Sequence, residues 1–183
     1  VVNSAEKIDT DNIYNILSES SVIYDDQGKK IDTVYATENR TNVEYDDLPK
    51  NLKNAFIAIE DKTFWKHSGF NYIRMMGAVK DSLTSGRVSG TSTITQQLAR
   101  NLFLKESKSE RSIKRKIIEG YYTVILERKL SKKEILEAYL NTIALGYNSN
   151  GVQTASQTYF SKDISELSVF ESALLAALPK APT

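Results

Sequence analysis

The sequence has no cysteine, one histidine and one tryptophan among its 183 residues. Without cysteine the chain has no disulfide framework, no thiol nucleophile and no thiolate zinc site. A single histidine disfavours a metal site built from imidazole ligands. No apolar run approaches the roughly 20 residues of a membrane-spanning helix. Charge is nearly balanced, with 24 basic and 23 acidic residues, so we expect no general affinity for nucleic acid.

Hydrophobic residues make up 40% of the chain and charged residues 26%, as in ordinary globular proteins. A chain of this length is expected to form one domain with a substantial core. The first residues carry no signal-peptide pattern, and the ending LLAALPKAPT stops just after two prolines. We therefore expect a domain excised from a longer protein, with residues 1–20 as leader or linker and residues 21–183 as the folded domain.

The predicted elements run from strand to helix along the chain. Residues 22–24 and 31–35 flank the turn signal DDQG, which predicts a short N-terminal β-hairpin, and residues 42–45 are a candidate third strand. From residue 48 onward apolar residues recur at helical spacing. Three helix starts have the spacing of a capping box: Thr93 with Gln96, Ser131 with Glu134, and Ser168 with Glu171. The sequence therefore predicts a mainly α fold.

Large apolar side chains are concentrated between two of the predicted helices and on the second of them. They are Trp65, Phe70, Tyr72, Ile73, Met75 and Met76. We interpret most of them as core. Grouped with Phe103 and Leu104, they alternatively include an exposed patch that dips into a membrane interface.

An apolar helix leads directly into two adjacent acids in the stretch AFIAIEDKTFWKHSG, residues 55–69. Adjacent carboxylates repel each other, and each is costly to bury. Folding alone does not call for Glu60 and Asp61 at this place, so both are candidates for chemistry. The same stretch contains Phe64 and the single histidine, His67.

A neutral polar cluster follows in the stretch SGTSTITQQLARN, residues 89–101. Helix capping accounts for one hydroxyl, Thr93, and one amide, Gln96. The remaining polar side chains include those of Ser92, Gln97, Arg100 and Asn101. Hydroxyls, amides and a cation near a helix N-terminus suit hydroxylated or phosphorylated ligands.

A basic run covers residues 105–116 and leads to another acid, Glu119. Such a run is usually a solvated helix face. Arg115 and Glu119 stand four residues apart and share a face, with Lys116 about 100° round the helix. Two interpretations stay open: an intrahelical ion pair worth a few tenths of a kcal/mol, or a carboxylate held beside cations that neutralise a phosphate.

Together these motifs resemble the peptidoglycan glycosyltransferase (transglycosylase) domain of class A penicillin-binding proteins and their monofunctional relatives. The family motifs occur in order, as Glu60-Asp61-x-x-Phe64-x-x-His67-x-Gly69, Gly90-x-Ser92-Thr93-Ile94-Thr95-Gln96-Gln97, Arg115-Lys116-x-x-Glu119, Ile135-Leu136-Glu137-x-Tyr139-Leu140-Asn141, and Gly146 with Gly151, Ala155 and Tyr159-Phe160. The resemblance covers about residues 23–183. It departs at Arg100, where the family pattern usually has lysine, and a planar guanidinium contacts phosphate differently from an ammonium.

The resemblance implies a lysozyme-like helical large lobe and a small membrane-dipping lobe. It implies an N-terminal membrane anchor that this chain lacks, a location at the outer face of the bacterial cytoplasmic membrane, and a C-terminal transpeptidase domain in the parent protein. The expected partners are the membrane surface, lipid II, the growing lipid-linked glycan strand and moenomycin-type inhibitors.

The resemblance also implies a reaction and residue roles. Lipid II is polymerised into β-1,4 glycan strands, with inversion at the anomeric carbon of a pyrophosphate-linked donor. Glu60 is the expected general base, and Glu119 is the second catalytic carboxylate, near the donor pyrophosphate or a divalent ion, Mg or Mn, bound to it. The supporting residues are Asp61, Phe64 and His67. The substrate-binding residues are Ser92, Thr93, Gln96, Gln97, Arg100, Asn101, Arg115 and Lys116.

Two other functions compete with this one. A hydrolase or lytic enzyme acting on finished peptidoglycan also uses two carboxylates beside a sugar. A neutral glycan, however, gives the cations nothing to bind. A non-catalytic membrane-surface module explains the apolar cluster and the basic run but not the acids.

Overall fold

The computed structural model of the chain describes residues 21–24, 30–34, 41–85, 90–104 and 113–180. Within these residues seven α-helices form nearly all of the regular structure, so the predicted mainly α class is confirmed. The helices are α1 (Lys50–Glu60), α2 (Tyr72–Ser85), α3 (Ile94–Phe103), α4 (Ile113–Lys129), α5 (Lys132–Thr142), α6 (Val152–Phe160) and α7 (Val169–Ala177). Single 3₁₀ turns cover Phe64–Lys66, Ile164–Glu166 and Leu178–Lys180.

Two short strands precede the helices. Strands β1 (Ser21–Tyr24) and β2 (Lys30–Val34) pair antiparallel, with Ser21 opposite Val34. The predicted turn between them lies outside the described residues, as does the leader predicted over residues 1–20.

The candidate third strand over residues 42–45 is wrong, because a helix binds the backbone groups that a strand partner would use. The Val43 N–H donates to Asn141 Oδ1 over 2.9 Å, and Asn141 Nδ2 donates to the Val43 carbonyl over 2.8 Å. The Tyr45 N–H donates to Glu137 Oε2 over 2.7 Å. Side chains of α5 therefore hold this segment in an irregular conformation.

All three predicted capping boxes are confirmed. Thr93, Ser131 and Ser168 each accept a hydrogen bond from the third backbone N–H of the helix, and the Gln or Glu at that position bonds back to the cap residue. Each box satisfies two N–H groups that the first turn of a helix leaves unpaired. The starts of α3, α5 and α7 are therefore determined locally.

The core lies around α3, which packs against both α4 and α5, while α1 packs against α7. Phe56 of α1 meets the ring of Tyr139 of α5 edge-on, with centroids 6.2 Å apart, and both side chains are fully buried. Leu98 of α3 is buried in the same cluster. This packing brings the C-terminal end of α1 close to the N-terminal half of α3.

The prediction that most of the apolar residues between 65 and 76 form core is wrong. Tyr72 is 69% exposed and Ile73 is 87% exposed, and Trp65, Met75 and Met76 are exposed as well. The described contacts near the start of α2 are polar ones through Asn71 and Arg74 and a ring contact between Tyr72 and Phe70, and they leave this apolar face exposed. None of the described helices is both long enough and apolar enough to span a bilayer.

Gly69 occupies a position that no larger residue fits. Its φ of +90° lies in a region that L-residues rarely adopt, and a Cβ there would come within 2.7 Å of Thr123 Cγ2. We expect Gly69→Ala to lower the free energy of unfolding by about 1–3 kcal/mol, measured by urea denaturation. The control is Gly77→Ala, in the middle of α2 with no heavy atom within 4 Å of its added methyl. That variant should gain about 0.5–1 kcal/mol, and equal effects at both positions would contradict the packing described.

Candidate active site

The two adjacent acids of the first motif stand at the end of α1, and both are buried. Glu60 is 7% exposed and Asp61 is 1% exposed. An ionised carboxylate is stable in such a place only with hydrogen bonds or opposite charges around it. The hydrogen-bond partners of the two acids differ.

Asp61 ties the end of α1 to the loop that follows and to the start of α3. Its Oδ2 lies 2.8 Å from His67 Nε2 and accepts the Ile94 N–H over 3.2 Å. The Gly69 N–H donates to His67 Nδ1 over 3.1 Å, so the proton of the neutral ring is on Nε2 and is donated to Asp61. A carboxylate at a helix N-terminus also interacts favourably with the helix dipole.

Both ring nitrogens of His67 are therefore used inside the protein. Phe64 is fully buried, with its ring edge-on to Trp65 at a centroid distance of 5.0 Å and Lys132 Nζ 4.6 Å from its centroid. This geometry favours the supporting role that the sequence predicts for Asp61, Phe64 and His67.

The two carboxylate oxygens of Glu60 have different surroundings. Gln97 Nε2 donates to Oε2 over 2.8 Å, and Tyr139 donates its hydroxyl to Gln97 Oε1 over 3.2 Å. Oε1 is buried without a hydrogen-bond partner among the described residues, and Lys180 Nζ lies 3.9 Å from it. Burial and the nearby charge of Glu60 raise the pKa of Tyr139 well above its ordinary value, so this hydroxyl keeps its proton.

Two cations that the sequence did not identify bind the last turn of α1. Arg74 donates through Nη1 to the Glu60 carbonyl over 2.9 Å and through Nη2 to the Gly90 carbonyl over 2.8 Å. Lys180 donates to the Ile59 carbonyl over 2.6 Å. Arg74 is the only charge in the apolar run YIRMM, a signal that would have identified it. Tyr139 is part of the fourth family motif, whereas no comparable signal marks Lys180.

Glu119 is fully buried on α4 and stands among cations. Lys116, three residues earlier on the helix, forms an ion pair with its Oε1, and Arg100 Nε of α3 lies 3.6 Å from Oε2. Lys116 Nζ also donates to Ser92 Oγ over 3.3 Å. Four predicted site residues from the second and third motifs, including Ser92, are thus brought together.

Helix α3 links the two acids. Gln97, which bonds Glu60, and Arg100, which faces Glu119, are three residues apart and so lie on one face, separated by about one helical turn. Both side chains line an open cavity of about 290 Å³. The other described residues lining it are Asn101, Ile143, Ala144 and Pro179.

Thr93 and Gln96 use their polar groups inside the protein. The Thr93 hydroxyl donates to the Gly69 carbonyl over 2.6 Å and accepts the Gln96 N–H, while Gln96 Oε1 accepts the Thr93 N–H over 2.9 Å. Their predicted contact with substrate stays a prediction, and the geometry favours a positioning role. Arg115 is half-buried on α4, beside Lys116.

A metal was expected only as a divalent ion near Glu119. The described part of the chain contains no group of three or more His, Asp or Glu side chains that could hold one. Glu119 is a single carboxylate already paired with Lys116 and Arg100. Hard divalent cations take several oxygen ligands, so these residues do not fit a resident metal ion.

Comparison with known proteins adds an independent observation. A family model described as transglycosylase matches residues 27–183. The chain belongs to the transglycosylase family. It is similar to penicillin-binding protein 1A of Clostridium tetani, 46% identical over 100% of this chain and 23% of that protein. It is also similar to penicillin-binding protein 1F of Bacillus subtilis, 45% identical over 92% of this chain and 23% of the relative.

A third relative, penicillin-binding protein 1A of Aquifex aeolicus, is 46% identical over 90% of this chain and 22% of its own length. The chain therefore spans about a quarter of the length of the curated relatives it matches. The resemblance stated from the motifs is confirmed at the level of the family.

Arg74 joins the end of α1 to the segment before α3, so its loss should loosen both. We expect Arg74→Lys to lower the free energy of unfolding by about 1–3 kcal/mol, because one ammonium cannot reproduce the two-pronged contact. Urea denaturation measures the change. Arg128→Lys on the exposed face of α4 is the control and should stay within about 0.5 kcal/mol. Equal stability of the two variants would contradict the bridging role.

Proposed function

We propose that the chain is a peptidoglycan glycosyltransferase that polymerises lipid II into β-1,4-linked glycan strands for the bacterial cell wall. The observation that carries the proposal is the pairing on α3: Gln97 holds the buried acid Glu60, and Arg100, one turn away, faces Glu119, an acid surrounded by cations. A base and a phosphate-binding group are the two parts that this reaction needs. Membership of the transglycosylase family supports the same activity.

Glu60 is the general base of the proposed reaction. The glucosamine 4-hydroxyl of lipid II attacks the anomeric carbon of the donor strand while the bond from that carbon to the phosphate oxygen breaks. The hydroxyl proton passes to Glu60, and the leaving group departs as polyprenyl pyrophosphate. Attack opposite the leaving group converts the α linkage into a β linkage. Oε1, which is buried without a hydrogen-bond partner among the described residues, is the oxygen that takes the proton in this proposal.

The pyrophosphate is bound in this proposal by Arg100, Arg115 and Lys116, with Ser92 as a further hydrogen-bond donor. Glu119 aligns these cations, as its contacts with Lys116 and Arg100 support. Asn101 faces the substrate from the cavity wall, and Gln97 lines the same cavity while its amide holds Glu60. Thr93 and Gln96 act by holding the start of α3, and Asp61, Phe64 and His67 act by holding the loop after Glu60.

We also propose that the exposed apolar face of α2 contacts the membrane. A second exposed apolar row lies on α4, at the helical spacing of Ile113, Ile117, Tyr121 and Val124. Phe70 packs close to Gly120 of α4 and so connects the two faces. Such a surface suits the acyl boundary of a bilayer.

This surface supports a small membrane-dipping lobe beside a lysozyme-like large lobe, at the outer face of the cytoplasmic membrane. The greater length of the relatives supports an arrangement in which residues 1–20 link an anchor to a glycosyltransferase domain over residues 21–183. The parent protein then carries a transpeptidase domain. Moenomycin-type inhibitors are the expected ligands of the pyrophosphate-binding part.

A lysozyme-like hydrolase is the competing enzyme. The cations around the buried Glu119 argue against it, because a neutral glycan offers them no phosphate. Incubation with lipid II and, separately, with intact cell wall distinguishes three outcomes. Polymer from lipid II supports the proposal, fragments from cell wall support the hydrolase, and no turnover of either supports a non-catalytic membrane-surface module.

Replacing Glu60 tests the base. Glu60→Gln keeps the shape of the side chain and removes its ability to take a proton, so we expect at least a hundredfold loss of lipid II polymerisation with an unchanged circular dichroism spectrum. The control is Asp46→Asn, which removes an exposed carboxylate remote from α3 and should retain full activity. Near-normal strand synthesis by folded Glu60→Gln would overturn the assignment.

Replacing Glu119 tests the second carboxylate. We expect Glu119→Gln to lower kcat severely, by roughly a hundredfold, because Lys116 and Arg100 lose the charge that aligns them. The control is Glu171→Gln on α7, which removes a carboxylate that is also paired with a lysine, since Lys162 Nζ lies 2.7 Å from Glu171 Oε1; it should leave the rate unchanged. Equal activity of the two variants would reduce Glu119 to a structural ion pair. Assays with and without a chelator show whether the reaction needs a divalent ion.

A further inference from the structure

We propose that Tyr139 is a positioning residue for the general base, which it fixes through the side-chain amide of Gln97. The inference rests on the proposed function, since it concerns the base of that reaction. It follows from a chain of two hydrogen bonds, from the Tyr139 hydroxyl to Gln97 Oε1 over 3.2 Å and from Gln97 Nε2 to Glu60 Oε2 over 2.8 Å.

The first step is the anchoring of the amide. A glutamine amide is planar, with an acceptor at one end and a donor at the other. Tyr139 holds the acceptor end of Gln97 from a fully buried position on α5, where its ring is locked edge-on against Phe56. The donor end is then aimed at Glu60, and hydrogen bonds in such a chain polarise and strengthen one another.

The second step concerns the two carboxylate oxygens of Glu60, which have different partners. Oε2 is held by Gln97, and Oε1 has no hydrogen-bond partner among the described residues. Oε1 is the oxygen that receives the proton in the proposed reaction.

Other charged groups face the Glu60 carboxylate and also contribute to the pH dependence of the reaction. Lys180 Nζ from the C-terminal turn lies 3.9 Å from Oε1, Arg74 of α2 bonds the backbone carbonyl of Glu60, and Arg100 is on the next turn of α3. Asp61 is the adjacent negative charge. None of these groups is altered by removal of the Tyr139 hydroxyl, so a change in the titration of Glu60 would report on the hydrogen-bond chain.

The test is Tyr139→Phe, which keeps the ring and its packing and removes only the hydroxyl. We expect the polymerisation rate near neutral pH to fall about tenfold, and the acid limb of the pH profile to move upward by roughly one pH unit. The KM for lipid II should change less than kcat. Loss of packing alone would lower the amount of folded protein without moving the acid limb.

A double-mutant cycle shows whether Tyr139 acts through Gln97. Gln97→Ala should move the acid limb in the same direction, and adding Tyr139→Phe to it should produce no further shift. The matched control is Tyr159→Phe, which also loses a hydroxyl hydrogen bond, to the Leu145 carbonyl at 2.6 Å, and should leave the acid limb in place. Independent, additive shifts from Tyr139 and Gln97 would overturn the proposal.

A second measurement does not need activity. In protein labelled with ¹³C at the glutamate carboxyl carbons, the signal that disappears in Glu60→Gln belongs to Glu60. Its titration midpoint should rise by roughly one pH unit in Tyr139→Phe and stay unchanged in Tyr159→Phe. If the midpoint shifts but the protein never polymerises lipid II, the positioning role is supported and the proposed function is rejected. An unmoved midpoint in an active enzyme would reject the positioning role alone.

Discussion

The buried carboxylate of Asp61 is the constraint on which the rest of the candidate site depends. It is 1% exposed, and its Oδ2 is shared between His67 and the first N–H of α3. A buried charge is stable only with such partners, so the end of α1, the following loop and the start of α3 must meet at one point. Glu60, one residue earlier, is thereby delivered beside Gln97 on the next turn of α3.

From that point α3 sets the spacing between two acids with different surroundings. Glu60 is held at Oε2 by a neutral amide, whereas Glu119 is paired with Lys116 and has Arg100 at 3.6 Å. An acid held by a neutral amide suits proton transfer, and an acid that organises cations suits the binding of a phosphate leaving group. Because both residues are glutamates, the difference between their proposed roles follows from the partners of each carboxylate.

Local chemistry in the sequence was sufficient to predict much of the fold and of the candidate site. Capping boxes are formed by residues three apart, so Thr93 and Ser131 could be identified as helix starts without knowledge of the fold. The acids at residues 60 and 61 stood out because folding alone does not require them, and Glu119 stood out because it follows a basic run. Exposure could not be predicted in this way, since whether Ile73 faces solvent depends on which element covers α2. The third strand was wrong for a similar reason, because Asn141, 98 residues away, binds the backbone of Val43.

The sequence by itself determined the helix starts, the acids and cations available to the site, and the family, because these depend on residue types at short spacing. Only the tertiary structure decided how the stretch from Glu60 to Gly69 is used. Asp61 binds the loop and α3, Glu60 is held through Gln97 by Tyr139, and Arg74 and Lys180 bind the last turn of α1. The physical reason is the distance along the sequence between interacting residues. A helix cap is made within one helical turn, whereas a buried carboxylate takes its partners from whichever elements the packing brings to it.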